Sequence, residues 1–158
     1  MSADLDLISA AMTTIRADTG ASSGLYASNS TGNAFLIGGA HDAESDSLQA
    51  DRAWPYIVID VSGNTETDTT NVGECDLILR FIIVGNRTME TIDGAVPART
   101  IAIEERLRAL FQRQSVSSSS RWTFSSPNLL RSNRLPPNGN ETRKLIEYRV
   151  GASRVSGA

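Results

Sequence analysis

One cysteine, one histidine and one lysine are all that 158 residues contain of those types, and the first two scarcities each remove a class of function. Cys75 alone cannot form an internal disulfide, a usage that suits a reducing compartment. His41 and Cys75 are too few for a zinc site, and any imidazole-based triad would have to use His41. Gly20-Ala21-Ser22-Ser23-Gly24 matches G-x-S-x-G, but a nucleophile elbow needs a strand before it and a helix after it; here a helical pattern precedes and a Gly/Ser-rich stretch follows. The run from His41 to Asp46 begins like a calcium loop, yet Ser47 and Ala53 stand where glycine and glutamate are required. There is no phosphate-binding loop and no dinucleotide fingerprint. No apolar run approaches the roughly 18 residues of a membrane span. The first residues, Met1-Ser2-Ala3-Asp4, are acidic where a secretory leader is basic. We therefore expect a non-enzymatic protein with no metal, cofactor or membrane partner.

What is present is organised around Leu77-Ile78-Leu79-Arg80-Phe81-Ile82-Ile83-Val84, where one polar residue interrupts a run rich in β-branched side chains and Gly and Asn punctuate both ends. Such a run reads as a central strand. Its natural partner is Trp54–Val61, joined through a polar segment, 62–76, as an antiparallel hairpin. A symmetric hairpin opposes residues whose numbers sum to about 138, which places Val61 against Leu77 and Ile59 against Leu79. One face is then wholly apolar. The other carries Tyr56, Val58, Asp60, Ile78, Arg80, Ile82 and Val84, with Asp60 and Arg80 as diagonal neighbours, and looks in need of cover from a partner subunit.

Before the hairpin, Leu5, Ile8, Met12 and Ile15 recur at helical spacing over 4–18, with Ala11 beside them. Residues 20–53 are the least patterned third: short strands are expected near Leu25-Tyr26 and at 34–37, and a mobile acidic loop from His41 to Asp51. After it, Pro97 opens a second helix with Ile103, Leu107, Leu110 and Phe111 on one stripe. The early Glu104 and Glu105 and the later arginines suit the helix dipole. Ser115–Ser120 is a polar break, Arg121–Phe124 a short strand, and Leu135–Asn140, with two prolines, a turn or loop. The last strand, 143–155, sets Ile146, Tyr148 and Val150 on one face and Leu145, Glu147 and Arg149 on the other. The expectation is one α+β domain over 1–158, an antiparallel sheet of about four strands with two helices packed on one face and long loops.

Charge is divided along the chain. Residues 1–98 hold 14 Asp and Glu against 4 Arg, a balance of −10; residues 99–158 hold 4 Glu against 10 Arg and 1 Lys, a balance of +7. Such polarity suits a protein that meets different partners at two ends or stacks on copies of itself. Arg121, Arg131, Arg134 and the later basic residues, with Trp122 among them, also fit a second reading, a nucleic-acid binding module, although the acidic total argues against a dedicated binder.

The first helix, Pro55-Tyr56-Ile57-Val58-Ile59-Asp60, the strand Leu79–Val84, the helix at 99–113 and the closing strand Lys144-Leu145-Ile146-Glu147-Tyr148-Arg149-Val150 come in an order that resembles the tail terminator, or tail completion, proteins of long-tailed bacteriophages and related tailed particles. The resemblance is one of pattern over nearly the whole chain, departing from shorter members at 20–53 and at 115–120. It implies a structural virion protein that forms a ring, usually a hexamer, on the tail tube, stops tube polymerisation and meets the head connector. DNA would pass through that ring without sequence-specific binding, and assembly would take place in the host cytoplasm. Tyr56, Asp60, Arg80, Arg121, Arg131 and Arg134 are then expected at subunit or partner contacts, and Asp42, Glu44, Asp46 and Asp51 on the channel. A head-completion protein on the other side of the same joint is the near alternative.

Overall fold

A computed structural model of the chain describes residues 3–18, 24–25, 39–42, 56–63, 74–86, 98–139 and 141–155. Helix α1 (Ala3–Ala17) is followed by strands β1 (Gly39–Asp42), β2 (Tyr56–Gly63) and β3 (Glu74–Asn86). Helix α2 (Ala98–Phe111) then leads to β4 (Trp122–Phe124), β5 (Asn128–Asn138) and β6 (Glu141–Arg154). This is an α+β fold with both helices on one face of the sheet.

β2, β3 and β6 pair antiparallel at its centre, and β1 adds to β2 in parallel. The outer side of β6 is shared: β5 pairs along Glu141–Arg149 and β4 along Ala152–Arg154. Beyond the expected strands, therefore, the sheet gains β1 at one edge and β5 at the other, six strands among the described residues.

The hairpin register is offset by two from the symmetric reading. Val61 faces Leu79, Ile59 faces Phe81, and Asp60 stands directly opposite Arg80, so the residue numbers sum to 140. An offset of two leaves every side chain on its expected face, because the strand repeat is two. Ile57, Ile59, Leu77, Leu79, Phe81, Ile146, Tyr148 and Val150 are accordingly all sealed from solvent.

Both helices dock on that face. From α1 come Ala3, Leu7, Ile8, Ala11 and Ile15, and from α2 Ile103, Leu107 and Phe111. Phe81, Phe111 and Tyr148 meet at the centre, with ring centroids 4.8 Å apart for the two phenylalanines and 6.0 Å for Phe81 and Tyr148. Each buried large side chain of the helices contributes roughly 1.5–3 kcal/mol. The inward stripe of α1 differs from the expected one: Leu7 is fully buried, whereas Leu5 is 41% exposed. Ile8 stays in the core and Met12 is half-buried against it, so of the expected stripe only Leu5 stands out.

Four local expectations need correction. His41 and Asp42 belong to β1, so the loop reading fails for those two; residues 43–51 lie outside the described residues, as do Tyr26 and 34–37. Leu25 itself is buried in a bend, and its amide donates to Asp18 Oδ2 at 2.8 Å. Pro136 and Pro137 lie within β5, where the pairing jumps from Leu135 opposite Arg143 to Asn138 opposite Glu141. Proline lacks the amide that a ladder requires, so it is tolerated at a bulge on an edge strand, which is where these two stand. In α2 the first turn has no acidic residue, because the helix begins at Ala98 and puts Glu104 two turns in. Pro97 is outside the described residues.

Candidate assembly surface

The second face of the sheet carries a row of charge across four strands. Arg80 on β3 lies opposite both Asp60 on β2 and Glu147 on β6, and Glu147 in turn faces Arg131 on β5. The Arg80 guanidinium donates through Nε to Glu147 Oε2 at 2.9 Å and through Nη1 to Asp60 Oδ2 at 3.2 Å. Arg131 Nε donates to the other oxygen, Glu147 Oε1. Glu147 is 3% exposed. Burial pushes its carboxyl up, but the bonds and charges of Arg131 and Arg80 outweigh that penalty and hold it below the usual carboxylate range.

On the helical face a second cluster centres on Glu104, which α2 turns inward and which is nearly buried. It accepts from Lys144 Nζ at 2.7 Å, Ser132 Oγ at 2.6 Å and Arg108 Nη2 at 3.1 Å. Here too burial raises the carboxyl and the Lys144 and Ser132 bonds, with the charges of Lys144 and Arg108, bring it below its ordinary value. A third pair ties the end of α1 to α2: Arg106 donates to both Asp18 oxygens, at 2.5 and 2.8 Å, and these bonds lower the Asp18 carboxyl against the opposing effect of burial.

Of the residues expected at contacts, Asp60, Arg80 and Arg131 are brought together, with Glu147 as the centre that unites them. Tyr56 shares their face at the end of β2, opposite Val84, and is buried. Arg134 projects from the other face of β5, beside Lys144, and is exposed. Arg121 is exposed just before β4, where its carbonyl accepts from Val155 at 2.7 Å. Asp42 ends β1; Glu44, Asp46 and Asp51 lie outside the described residues. Glu147 was not among the expected site residues, although its signal was a lone carboxylate between Leu145 and Arg149 on the face of Arg80.

That face is not the open apolar surface its pattern suggests. Val84, Leu145 and Tyr56 are buried on it, and Val58, Ile78 and Ile82 are half-buried. The large apolar side chains that stay exposed among the described residues are elsewhere: Leu5 on α1, Ile101 on α2 and Leu130 on β5, at 41%, 45% and 49%.

No family model matches the chain, and no curated protein does. A solved structure does. The fold is similar to that of a chain in "Virion of native gene transfer agent (GTA) particle", with a TM-score of 0.62 over 93% of this chain and 94% of that one. Identity is 13%, so the likeness is one of fold, shared end to end. Among the described residues no helix is long and apolar enough to cross a membrane, and no cluster of His, Cys, Asp and Glu could hold a metal ion.

Proposed function

We propose that this chain is a structural component of a phage-like virion, and more narrowly a tail terminator whose copies form a ring, six-membered in the manner of the family it resembles, between tail tube and head connector. The observation that carries the coarser reading is the end-to-end likeness to a chain of a gene transfer agent virion, in which neither chain has a large unmatched part. The narrower reading rests on the resemblance in element order. It is also supported by exposed apolar side chains that sit on different elements, as an assembly with unlike contact surfaces requires. In this reading the protein acts by shape and contact and carries out no chemistry.

The nucleic-acid alternative loses ground because its arginines are partly committed. Arg131, and Lys144 beside them, are bound to buried glutamates, and Arg154 stacks over Trp122 with 5.5 Å to the ring centroid. The head-completion alternative is separated by phenotype. Loss of a tail terminator gives tubes of uncontrolled length, whereas loss of a head-completion protein leaves tails of normal length unattached to heads. Electron microscopy of particles from a host lacking this gene distinguishes the two, and normal joined particles would contradict both.

A further inference from the structure

We propose that the connection leaving α2 guards the open edge of the sheet: Gln112, Arg113 and Ser119 hold the backbone groups through which β5 and β4 would otherwise add a strand of a second copy of this chain. The inference does not depend on the ring reading. It concerns how each copy keeps its sheet closed, whatever the copies then assemble into.

β5 and β4 share the outer side of β6, and among the described residues neither pairs with a further strand. Such an edge presents unpaired amides and carbonyls and is a template for another chain. Here those groups are taken. Leu129 donates its amide to Gln112 Oε1 at 2.7 Å, and the carbonyl of Pro127, one residue ahead of β5, accepts from the Arg113 amide at 2.8 Å. Positions two apart on a strand turn their backbone groups to the same side, so these bonds stand where those of a neighbouring strand would. The guard is held in place from within. Phe111, the last residue of α2, is buried against Phe81, and Arg113, with its left-handed φ of 56°, follows two residues later.

At β4 the polar break has the same effect. Trp122 donates its amide to Ser119 Oγ at 3.0 Å, and its carbonyl accepts from the Ser119 amide at 2.9 Å. These groups point away from β6, because the carbonyl turned toward the end of β6 is that of Arg121, which accepts from Val155 at 2.7 Å. The rest of β5 is unsuited to pairing for its own reasons. One bulge falls at Leu130, and a second, containing Pro136 and Pro137, lies between Leu135 and Asn138. Arg143 Nη2 donates to the Pro136 carbonyl at 3.2 Å. Bulges, prolines and covering loops are the means by which edge strands are kept from joining, and this edge has all of them.

Two measurements on the full chain test the guard. In Gln112→Ala the Leu129 amide is expected to exchange with deuterium about tenfold faster than in the native protein, the effect of one lost hydrogen bond. An unchanged rate overturns the proposal. An edge-opened variant with Gln112→Ala, Ser119→Ala, Pro136→Thr and Pro137→Val is expected to form species whose mass grows with concentration and whose infrared spectrum shows added β-structure. Gly63→Ala is the control: it crowds β2 against Leu77 and Asp76, and β3 and β6 separate it from this edge. Equal growth in the control, or a folded edge-opened variant with the mass distribution of the native chain, overturns the proposal. If the edge-opened variant fails to fold, the exchange rate of Leu129 decides.

Discussion

Arg80 and Glu147 stand directly opposite one another on β3 and β6, joined through guanidinium Nε at 2.9 Å and Nη2 at 2.8 Å to the same carboxylate oxygen. Arg131 takes the other oxygen, so the buried charge of Glu147 is matched on both sides. Replacing Glu147 with Ala leaves Arg80 and Arg131 without it and is expected to destabilise the fold by about 1–3 kcal/mol, read from urea unfolding.

Acid acts on the same centre. Asp18, Glu104 and Glu147 are all held below their ordinary values of 3.8 for Asp and 4.5 for Glu. A carboxyl lowered in the fold binds protons more readily once the chain is unfolded. Its contribution is therefore complete above the ordinary value and is lost as pH falls through the lower, folded one. The urea midpoint should hold steady from pH 7 to about 5 and drop by pH 3. Glu147→Gln should show a smaller drop, and an equal one would exclude Glu147 from the linkage.

Alkali tests the aromatic centre. Burial pushes the Tyr148 hydroxyl up to about 12, from an ordinary value of 10.0. A raised group stabilises below its unfolded value and loses that contribution as pH climbs through the folded one, so stability should decline between pH 10 and 12. Tyr148→Phe should flatten the decline. Because that hydroxyl is buried with no hydrogen-bond partner among the described residues, the same change should cost less than about 1 kcal/mol at pH 7.

Gly63 closes β2 where no side chain fits. A Cβ there would stand 2.6 Å from Leu77 Cδ2 and 2.7 Å from the Asp76 carbonyl oxygen. Leucine can turn aside, but the backbone oxygen cannot without moving β3. Gly63→Ala is expected to lower stability by roughly 1–3 kcal/mol in thermal or urea unfolding.

Arg113 offers the opposite case. It follows α2 with φ of 56°, in the left-handed region, while its amide donates to the Pro127 carbonyl at 2.8 Å. Glycine adopts that conformation without strain and keeps the amide. Arg113→Gly should raise stability by about 0.5–1 kcal/mol.

How much of this was legible in the sequence depends on what each segment buries. The inner face of β2, β3 and β6 could be read because alternation of isoleucine, leucine and phenylalanine survives an error of two in register. β5 could not: as an edge strand it buries little, so its sequence, Asn128-Leu129-Leu130-Arg131-Ser132-Asn133-Arg134, shows no period, and its prolines argue for a turn. The short β1, Gly-Ala-His-Asp, has no β-forming residue and owes its pairing to β2. The site followed the same rule. Asp60 and Arg80 could be paired by counting along one hairpin, but Glu147 and Arg131 join them only through β6 and β5, contacts that span 67 and 16 residues. Of the helical stripe of α1, Ile8, Ala11 and Ile15 are buried as their spacing indicates, and only its start misled: Leu7, not Leu5, faces the core.

In the proposed function, copies of this chain close into a ring at the end of a tail tube. Its most direct test is the mass of the species formed when the purified protein is mixed with tail tube protein, measured by light scattering during size-exclusion chromatography. The expected result is a closed oligomer of defined mass bound to the tube, and loss of further tube growth. A strict monomer that leaves tube length unchanged would contradict it.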